Sequence, residues 1–220
     1  MRLGIIIQAR MGSTRLPGKS LKLIAGKVLL DHVLGRLTKL RRRAKVVVAT
    51  STSVQDDLIE AHCRGQVSCF RGSELDVLER YFQCAELYGF NHVVRLTGDN
   101  PFTDMLELER LIDLHLEAEN DYTHSFGMMP LGIGAEVFTM TALRTSHLEG
   151  AAPNHREHVN EFIQENRLRF KIGILHISPE KVAPELRLTV DTQEDYDRAC
   201  RLAESVAPQW LTTEEAIASC

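Results

Sequence analysis

Apolar runs alternate with segments of helical periodicity along most of this chain. Short runs rich in Val, Ile and Leu predict strands at residues 3–7, 45–49, 67–70, 92–96, 121–124, 136–139 and 171–176. Apolar residues at three- and four-residue spacing predict helices at 29–40, 54–63, 74–88, 105–119, 153–165, 193–205 and 212–218. Because strands and helices alternate, we expect an α/β fold with a mostly parallel central sheet and helices on both faces.

Nothing in the chain suggests a division into domains. We find no internal repeat, no low-complexity tract and no Pro- or Gly-rich linker, so a single domain over residues 1–220 is expected. One stretch differs in texture: FGMMPLGIG, residues 126–134, is rich in Gly and Met. This stretch fits a mobile lid or β-arm over a site, and it fits a plain connecting loop equally well.

Composition narrows the class of protein. Of the 220 residues, 44% are hydrophobic, which is enough for one well-buried core. No apolar stretch reaches the length of a membrane span and no signal-peptide core is present, so we expect a cytoplasmic protein without membrane contact. The five cysteines form no C-x-x-C pair and are interpreted as reduced thiols.

The loop after the first predicted strand is the most informative feature of the sequence. It reads QARMGSTRLPGK, residues 8–19, and combines two glycines with Arg10, Arg15 and Lys19. Glycine and small polar residues allow backbone N–H groups to face an anion, and the three cations can neutralise a triphosphate. Ligands of open α/β sheets bind at the carboxyl ends of the strands, which is where this loop begins.

The charge distribution supports an anionic ligand near the N-terminal segment. Twelve of the first 45 residues are Lys or Arg against one acid, Asp31, whereas the whole chain has a formal net charge of −4. The cluster Arg41, Arg42, Arg43 is a separate matter, because it follows an amphipathic helix and most simply contacts the helix end and solvent.

Two acidic residues follow apolar segments farther along the chain. Asp99 lies in the turn TGDNP after the predicted strand at 92–96, and Asp191 ends the segment LTVDT before a predicted helix. Each has a simpler interpretation, as a turn residue and as a helix N-cap respectively. If both segments end at the same sheet edge, the two carboxylates can share one Mg²⁺ ion with phosphate oxygens and water.

Taken together, these motifs resemble the acylneuraminate cytidylyltransferase family, and within it the SpsF-like branch of spore coat polysaccharide biosynthesis. The resemblance rests on QARMGSTRLPGK (8–19), TGDNP (97–101) and LTVDTQEDY (188–196), and runs nearly end to end. Supporting segments are VVATS (47–51), FRGSELDVLERY (70–81), GAEVF (134–138) and REHV (156–159). The N-terminal motif is the most specific of them.

The resemblance implies a nucleotide-diphospho-sugar transferase fold, which is Rossmann-like and of the GT-A type. It also implies a reaction in which a sugar oxygen attacks the α-phosphorus of CTP and expels pyrophosphate, for glycan biosynthesis. The catalytic residues would be Arg10, Lys19 and Asp99, with Mg²⁺ held by Asp99 and Asp191. The nucleotide would lie against Gln8, Ala9, Arg10, Gly12, Ser13, Arg15, Lys19, Thr50, Ser51, Gly72 and Ser73.

The acceptor is expected to be an acidic sugar of the nonulosonic type. The resemblance places Glu136, Arg156 and His158 toward it, although Glu136 also fits an ordinary strand residue and His158 a solvated helix position. The branch often has Glu-His-Val-Thr-Pro-Tyr where this chain has Glu157-His158-Val159-Asn160-Glu161-Phe162. This departure concerns the acceptor side more than the nucleotide side.

Other functions stay open at the level of sequence. One is a transferase of the same fold that uses another nucleotide and a sugar phosphate. Another is a glycosyltransferase, but the metal-binding Asp-x-Asp motif of that class is expected at a strand end, and Asp195-Tyr196-Asp197 falls inside a predicted helix. A nucleotide sensor or a nucleic-acid-binding module is a third, but the cations lack the interleaved aromatic residues that stack on bases, so no nucleic-acid partner is expected. The partners expected are CTP, a sugar acceptor and, because relatives commonly dimerise, a second copy of the chain.

Overall fold

A seven-stranded sheet organises the protein in a computed structural model that describes residues 2–205 and 211–220. The strands of this sheet are β1 (Leu3–Gln8), β4 (Lys45–Ser51), β5 (Ser68–Gly72), β6 (His92–Thr97), β7 (Tyr122–His124), β8 (Glu136–Thr139) and β9 (Ile172–Ile174). Their order across the sheet is β5-β4-β1-β6-β8-β7-β9. A separate two-stranded ribbon, β2 (Leu23–Ile24) and β3 (Lys27–Val28), follows the N-terminal loop and was not predicted from the sequence.

The mostly parallel sheet expected from the sequence is confirmed. Strands β5, β4, β1 and β6 are parallel neighbours, β7 is parallel to β9, and β8 alone runs antiparallel to its neighbours β6 and β7. Gln8 at the end of β1 pairs with Thr97 on one side and Ala49 on the other. The carboxyl ends of these central strands therefore form one edge, and the N-terminal loop and Asp99 both start from it.

Helices cover both faces of the sheet. Their bounds are α1 (Leu29–Leu37), α2 (Asp57–Cys63), α3 (Val77–Tyr88), α4 (Met105–Glu117), α5 (Met140–Glu149), α6 (Pro153–Glu157), α7 (Glu161–Glu165), α8 (Gln193–Ser205) and α9 (Thr213–Ala218). Alternate residues of β1 enter different cores, as the two-residue period of a strand requires: Ile5 and Ile7 pack with α1, α2 and α4, and Ile6 packs with α3, α5 and α7. No helix in the described ranges is long and apolar enough to cross a membrane.

The helix predictions were wrong in three places. Helix α5 was missed, because its polar sequence MTALRTSHLE gives no clear apolar stripe. The single helix predicted at 153–165 is two short helices, because His158 adopts an extended conformation between them. Helix α3 starts at Val77 rather than at residue 74, because the Asp76 side chain accepts from the Glu79 N–H and caps the helix.

Three of the N-terminal cations have structural partners within the protein. Arg36 is buried and donates to the carbonyls of Pro101 and Leu211, each at 2.8 Å. Arg41 and Arg42 form ion pairs with Glu109 and Asp113, which lie on α4. The positive charge of the first 45 residues is therefore partly balanced by acids from later in the chain.

Candidate active site

A cleft of about 220 Å³ lies at the carboxyl edge of the sheet, where β1 and β6 end. The predicted site residues that line it are Gln8, Ala9, Arg10, Ser13, Arg15, Lys19, Asp99 and Asp191. They come from three distant parts of the chain. The register of β1 and β6 brings the first two parts together, and the third arrives by a different route.

That third part is the segment before Asp191, which forms no strand of the sheet. It is an extended segment that crosses the edge of the sheet, where the Val190 N–H donates to the Asp99 carbonyl at 2.9 Å. Gly132 makes the close approach possible, because a Cβ there would lie 2.4 Å from the Thr189 backbone nitrogen. Asp191 therefore reaches Asp99 without a strand between them.

Lys19 joins the two aspartates. Its side chain is buried, and its ammonium donates to Asp99 Oδ2 at 2.7 Å, to Asp191 Oδ1 at 2.8 Å and to the Val190 carbonyl at 2.9 Å. These bonds use all three N–H donors of the group. In this arrangement Lys19 neutralises the carboxylates rather than facing the space where phosphates are expected.

Further cations surround Asp191. Arg15 lies 3.4 Å from Oδ1, and Arg187, which sequence reasoning missed, lies 3.2 Å from Oδ2. Asp195 accepts from the backbone N–H groups of Asp191 and Thr192 at 3.1 and 3.0 Å and so fixes the turn before α8. The N-cap interpretation of Asp191 is wrong, because the Thr192 hydroxyl accepts from the Asp195 N–H at 3.2 Å and so caps α8 instead.

Asp56 is a second residue that sequence reasoning missed. Its buried carboxylate accepts from the Met11 N–H at 2.7 Å, from the Ser51 N–H at 3.0 Å and from the Ser51 hydroxyl. Burial acts to raise the pKa of Asp56, but these hydrogen bonds outweigh burial and hold the pKa below its ordinary value. Asp56 thus ties the cation-rich loop to the end of β4.

The other residues predicted to bind nucleotide do not line the cleft. Thr50 and Ser51 are fully buried, and Gly72 is buried with its carbonyl accepting from the Thr52 N–H. The Ser73 hydroxyl accepts from the Asp76 N–H at 3.0 Å. Gly12 is exposed on the loop. Ser13 does line the cleft, but its N–H, which was expected to cradle phosphate, donates to the Met11 carbonyl at 2.9 Å.

The predicted acceptor residues also lie away from this cleft, and the expectation for Glu136 needs correction. Glu136 is 1% exposed, and its two oxygens contact Arg95 and the Tyr122 hydroxyl. Arg156 pairs with Asp76 at 3.4 Å, and His158 is exposed just after α6. A carboxylate this buried does not face a sugar, and its partner on the neighbouring strand is Arg95.

A second cavity of about 280 Å³ adjoins the cleft and shares Thr97, Asp99 and Asp191 with it. Its far wall is the segment 125–134, in which Met129 and Ile133 are buried. The segment forms a wall of the cavity, with Phe126, Met128 and Leu131 exposed, and both interpretations of it stay predictions. The aspartates therefore lie between two adjoining spaces, as a transfer between two substrates requires.

The donor set at the aspartates fits a hard divalent cation. Asp99 and Asp191 offer carboxylate oxygens that contact the same ammonium, so one small cation can replace that ammonium between them. In residues 2–205 and 211–220 there is no group of three or more His, Cys, Asp or Glu side chains arranged to hold a metal. Two carboxylates suit Mg²⁺, because that ion usually keeps several sites for phosphate and water.

Comparison with known proteins identifies the family. The sequence profile of the family described as cytidylyltransferase matches residues 4–216. The spore coat polysaccharide biosynthesis protein SpsF of Bacillus subtilis is 39% identical over 198 residues, which are 87% of this chain and 82% of that protein. A 3-deoxy-manno-octulosonate cytidylyltransferase of Marinobacter nauticus is 39% identical over 107 residues, 46% of this chain and 39% of that protein.

Solved structures extend the likeness to the fold. The structure of a cytidylyltransferase from Leptospira borgpetersenii superimposes with a TM-score of 0.93 at 32% identity, covering 100% of this chain and 93% of that one. The structure of a CMP:2-keto-3-deoxy-manno-octonic acid synthetase complexed with CTP has a TM-score of 0.72 at 18% identity, covering 94% and 100%. With the family profile spanning nearly the whole chain, we conclude that this protein is a nucleotidyltransferase and belongs to the cytidylyltransferase family.

Proposed function

We propose that this protein transfers CMP from CTP to a hydroxyl group of an acidic, nonulosonic-type sugar and releases pyrophosphate, for surface polysaccharide biosynthesis. The observation that carries the proposal is the Lys19–Asp99–Asp191 cluster between two adjoining cavities, with Arg10 and Arg15 on the nucleotide side. The names of the relatives, SpsF and the octulosonate cytidylyltransferases, support a sugar acceptor.

In the proposed reaction the sugar oxygen forms a bond to the α-phosphorus of CTP, and the bond from that phosphorus to the β-phosphate oxygen breaks. Pyrophosphate leaves with the electron pair, and the hydroxyl proton is released to water. Arg10 and Arg15 would hold the phosphates and offset the charge of the leaving group. Lys19 would move from the carboxylates to a phosphate oxygen once a metal–nucleotide complex occupies the cleft.

We propose Mg²⁺ as the cofactor, held by Asp99 and Asp191. A bound Mg²⁺ would neutralise phosphate charge and align the α-phosphate for in-line attack. A fold neighbour at 15% identity, Rv0371C of Mycobacterium tuberculosis, was solved in complex with manganese, which supports a divalent cation as cofactor. A single domain, a cytoplasmic location and a homodimer stay predictions from the sequence.

The glycosyltransferase alternative has less support. Asp195 and Asp197 lie inside α8, and Asp195 is buried and bonded to backbone amides and to Arg187. A metal-binding Asp-x-Asp motif needs its carboxylates free at a strand end, which these are not.

The test is pyrophosphate release from each of the four NTPs with Mg²⁺ and a panel of nonulosonic acids, 3-deoxy-manno-octulosonate and sugar 1-phosphates. We expect release with CTP and an acidic sugar, reduced at least about 100-fold in Asp99→Asn. Asp113→Asn is the matched control, because Asp113 is a surface carboxylate on α4 that pairs with Arg42. Release only with another NTP or a sugar phosphate would contradict the proposal, as would a protein whose melting temperature CTP does not raise.

A further inference from the structure

A row of polar side chains crosses the sheet where apolar residues are expected. Arg95 on β6 pairs in register with Glu136 on β8, which pairs with His124 on β7. Directly opposed residues of neighbouring strands lie on the same face of a sheet, so these three side chains are neighbours. Strands that are covered on both faces are normally apolar. Arg95 in the strand HVVRLT departs from this pattern and is the sign of the row that the sequence carries.

Glu136 is the anchor of the row. Its carboxylate contacts Arg95 Nη1 and accepts from the Tyr122 hydroxyl at 2.6 Å, and Asn160 Nδ2 donates to that hydroxyl at 3.1 Å. Asn160 is one of the residues that depart from the branch pattern, and here it belongs to the network that fixes Glu136. Burial acts to lower the pKa of Arg95, but the Glu136 carboxylate outweighs burial and raises it, so the guanidinium stays charged.

The Arg95 side chain is partly exposed to solvent, although it lies in a central strand. Its side chain keeps 17% of its surface exposed, whereas Glu136 beside it keeps 1%. A side chain in the middle of a covered sheet meets solvent only where the helices on that face leave an opening. Thr97 lies two residues farther along the same face, about 7 Å away, and lines the nucleotide cleft. The exposed part of Arg95 is thus one side-chain position from the cleft.

Buried hydrogen-bond donors without partners lie near Arg95. Among the described residues, Arg95 Nε, His124 Nε2 and two nitrogens of the fully buried Arg80 have no hydrogen-bond partner. The Phe126 N–H donates to His124 Nδ1 at 3.3 Å, so Nε2 carries the proton and is a donor. Buried donors without partners are rare in folded proteins, and a group of them indicates a ligand rich in acceptor oxygens.

The charges near Arg95 also favour an anionic ligand. Burial lowers the pKa of Arg80, and the positive charges of nearby Arg10 and Arg95 lower it further. Arg95 has the Glu136 carboxylate as its partner, whereas Arg80 forms no ion pair among the described residues. An anion is therefore the complementary ligand.

We propose that Arg95 binds the carboxylate of the acceptor sugar and that Glu136, fixed by Tyr122 and Asn160, is the positioning residue that aims it. This inference rests on the proposed function and assigns the acceptor's negative charge to one residue. A guanidinium and a carboxylate match in geometry and charge, which gives both affinity and orientation. A neutral sugar of the same shape would leave these donors unpaired and bind poorly.

The experiment measures acceptor and nucleotide binding separately in the full chain. Arg95→Met is compared with Arg95→Lys and with Arg169→Met, a control that also removes an ion-paired arginine, on the surface beside Glu149. The probes are N-acetylneuraminate and 3-deoxy-manno-octulosonate for turnover, and Mg·CTP for calorimetry. We expect Arg95→Met to raise the acceptor KM at least about 50-fold while the CTP Kd stays within about threefold, with partial recovery in Arg95→Lys.

Removing Arg95 alone leaves the Glu136 charge buried without a partner, so that variant is expected to lose stability. The double variant Arg95→Met/Glu136→Gln has no such charge and keeps the test valid. An acceptor KM unchanged in the double variant would overturn the proposal, and so would a CTP Kd that weakens as much as the acceptor KM. Wild-type protein that binds CTP but uses none of the acidic sugars would overturn it too. Failure to bind CTP at all would instead refute the proposed function.

Discussion

Lys19→Met is the most revealing perturbation, because Lys19 holds the two candidate metal ligands together. The substitution keeps the apolar stem and removes an ammonium that donates to Asp99, Asp191 and the Val190 carbonyl. Two carboxylates would then face each other without a cation between them. Breaking a buried ion pair by removing one partner costs about 3–5 kcal/mol.

The expected cost here is smaller, for two reasons. The side chains of Asp99 and Asp191 keep 24% and 20% of their surface exposed, so water solvates them in part. Arg15 and Arg187 also remain beside Asp191, at 3.4 and 3.2 Å. We therefore expect a loss of about 2–3 kcal/mol, which for a chain of this size lowers the melting temperature by about 4–12 °C.

A divalent cation should restore much of this loss without any nucleotide. In wild-type protein a metal must displace the Lys19 ammonium, whereas in Lys19→Met the site between the carboxylates is open to it. At a Mn²⁺ concentration ten times its Kd, binding adds about 1.4 kcal/mol and raises the melting temperature by about 3–6 °C. The assay is thermal unfolding over a Mn²⁺ titration, with free Mn²⁺ followed by electron paramagnetic resonance.

The control is Lys22→Met, because the Lys22 ammonium lies over the Tyr196 ring, 5.2 Å from its centroid, and contacts neither aspartate. We expect this variant to bind nucleotide-free Mn²⁺ no better than wild type. Equal Mn²⁺ affinity in wild type and Lys19→Met would refute the idea that the lysine competes with the metal. A Lys19→Met protein as stable as wild type would refute the energetic argument.

Three further predictions follow from single residues. Asp56→Asn should raise the KM for CTP about tenfold and lower the free energy of unfolding by about 2 kcal/mol at neutral pH. Because the pKa of Asp56 is low in the folded protein, wild type and variant should become equally stable as unfolding is followed below about pH 4. Burial lowers the pKa of His115 to about 4 in the folded protein, whereas the unfolded chain binds this proton near pH 6.5. The free energy of unfolding should therefore fall by about 3 kcal/mol as pH falls from 6.5 to 4, and His115→Gln should remove this decline in denaturant titrations. Gly132→Ala places a methyl group 2.4 Å from the Thr189 backbone nitrogen and should reduce both kcat/KM and melting temperature, whereas Gly127→Ala, also at positive φ but with open space around its Cβ, should cost only about 1 kcal/mol.

The parts of the site that sequence predicted are those where the local motif itself carries the chemistry. The loop with Arg10, Arg15 and Lys19 follows a buried strand, and Asp99 follows another, so both had to lie at the carboxyl edge once the sheet was parallel. Turn residues and strand ends are local properties, and the two-residue period of β1 fixed which residues face each core.

Residues that act through distant partners gave no such signal. Asp56 reaches Met11 and Ser51, and Glu136 reaches Arg95, only because separate strands are neighbours in the sheet. The same limit explains why Glu136 was assigned to the sugar itself. The sequence of a strand does not tell whether a carboxylate faces a ligand or a neighbouring arginine. The burial of the side chain in the folded protein distinguishes the two cases.

The sequence by itself determined the alternation of strands and helices, the family, and the cations and carboxylates available for phosphate chemistry. The tertiary structure decided which of them meet: Lys19 lies 172 positions from Asp191 in the chain and 2.8 Å from it in space. It also decided that the last segment arrives as an extended crossing past Gly132 rather than as a strand. The physical reason is that periodicity and turn chemistry act over a few residues, whereas charge pairing depends on distances that only the order and register of the sheet set.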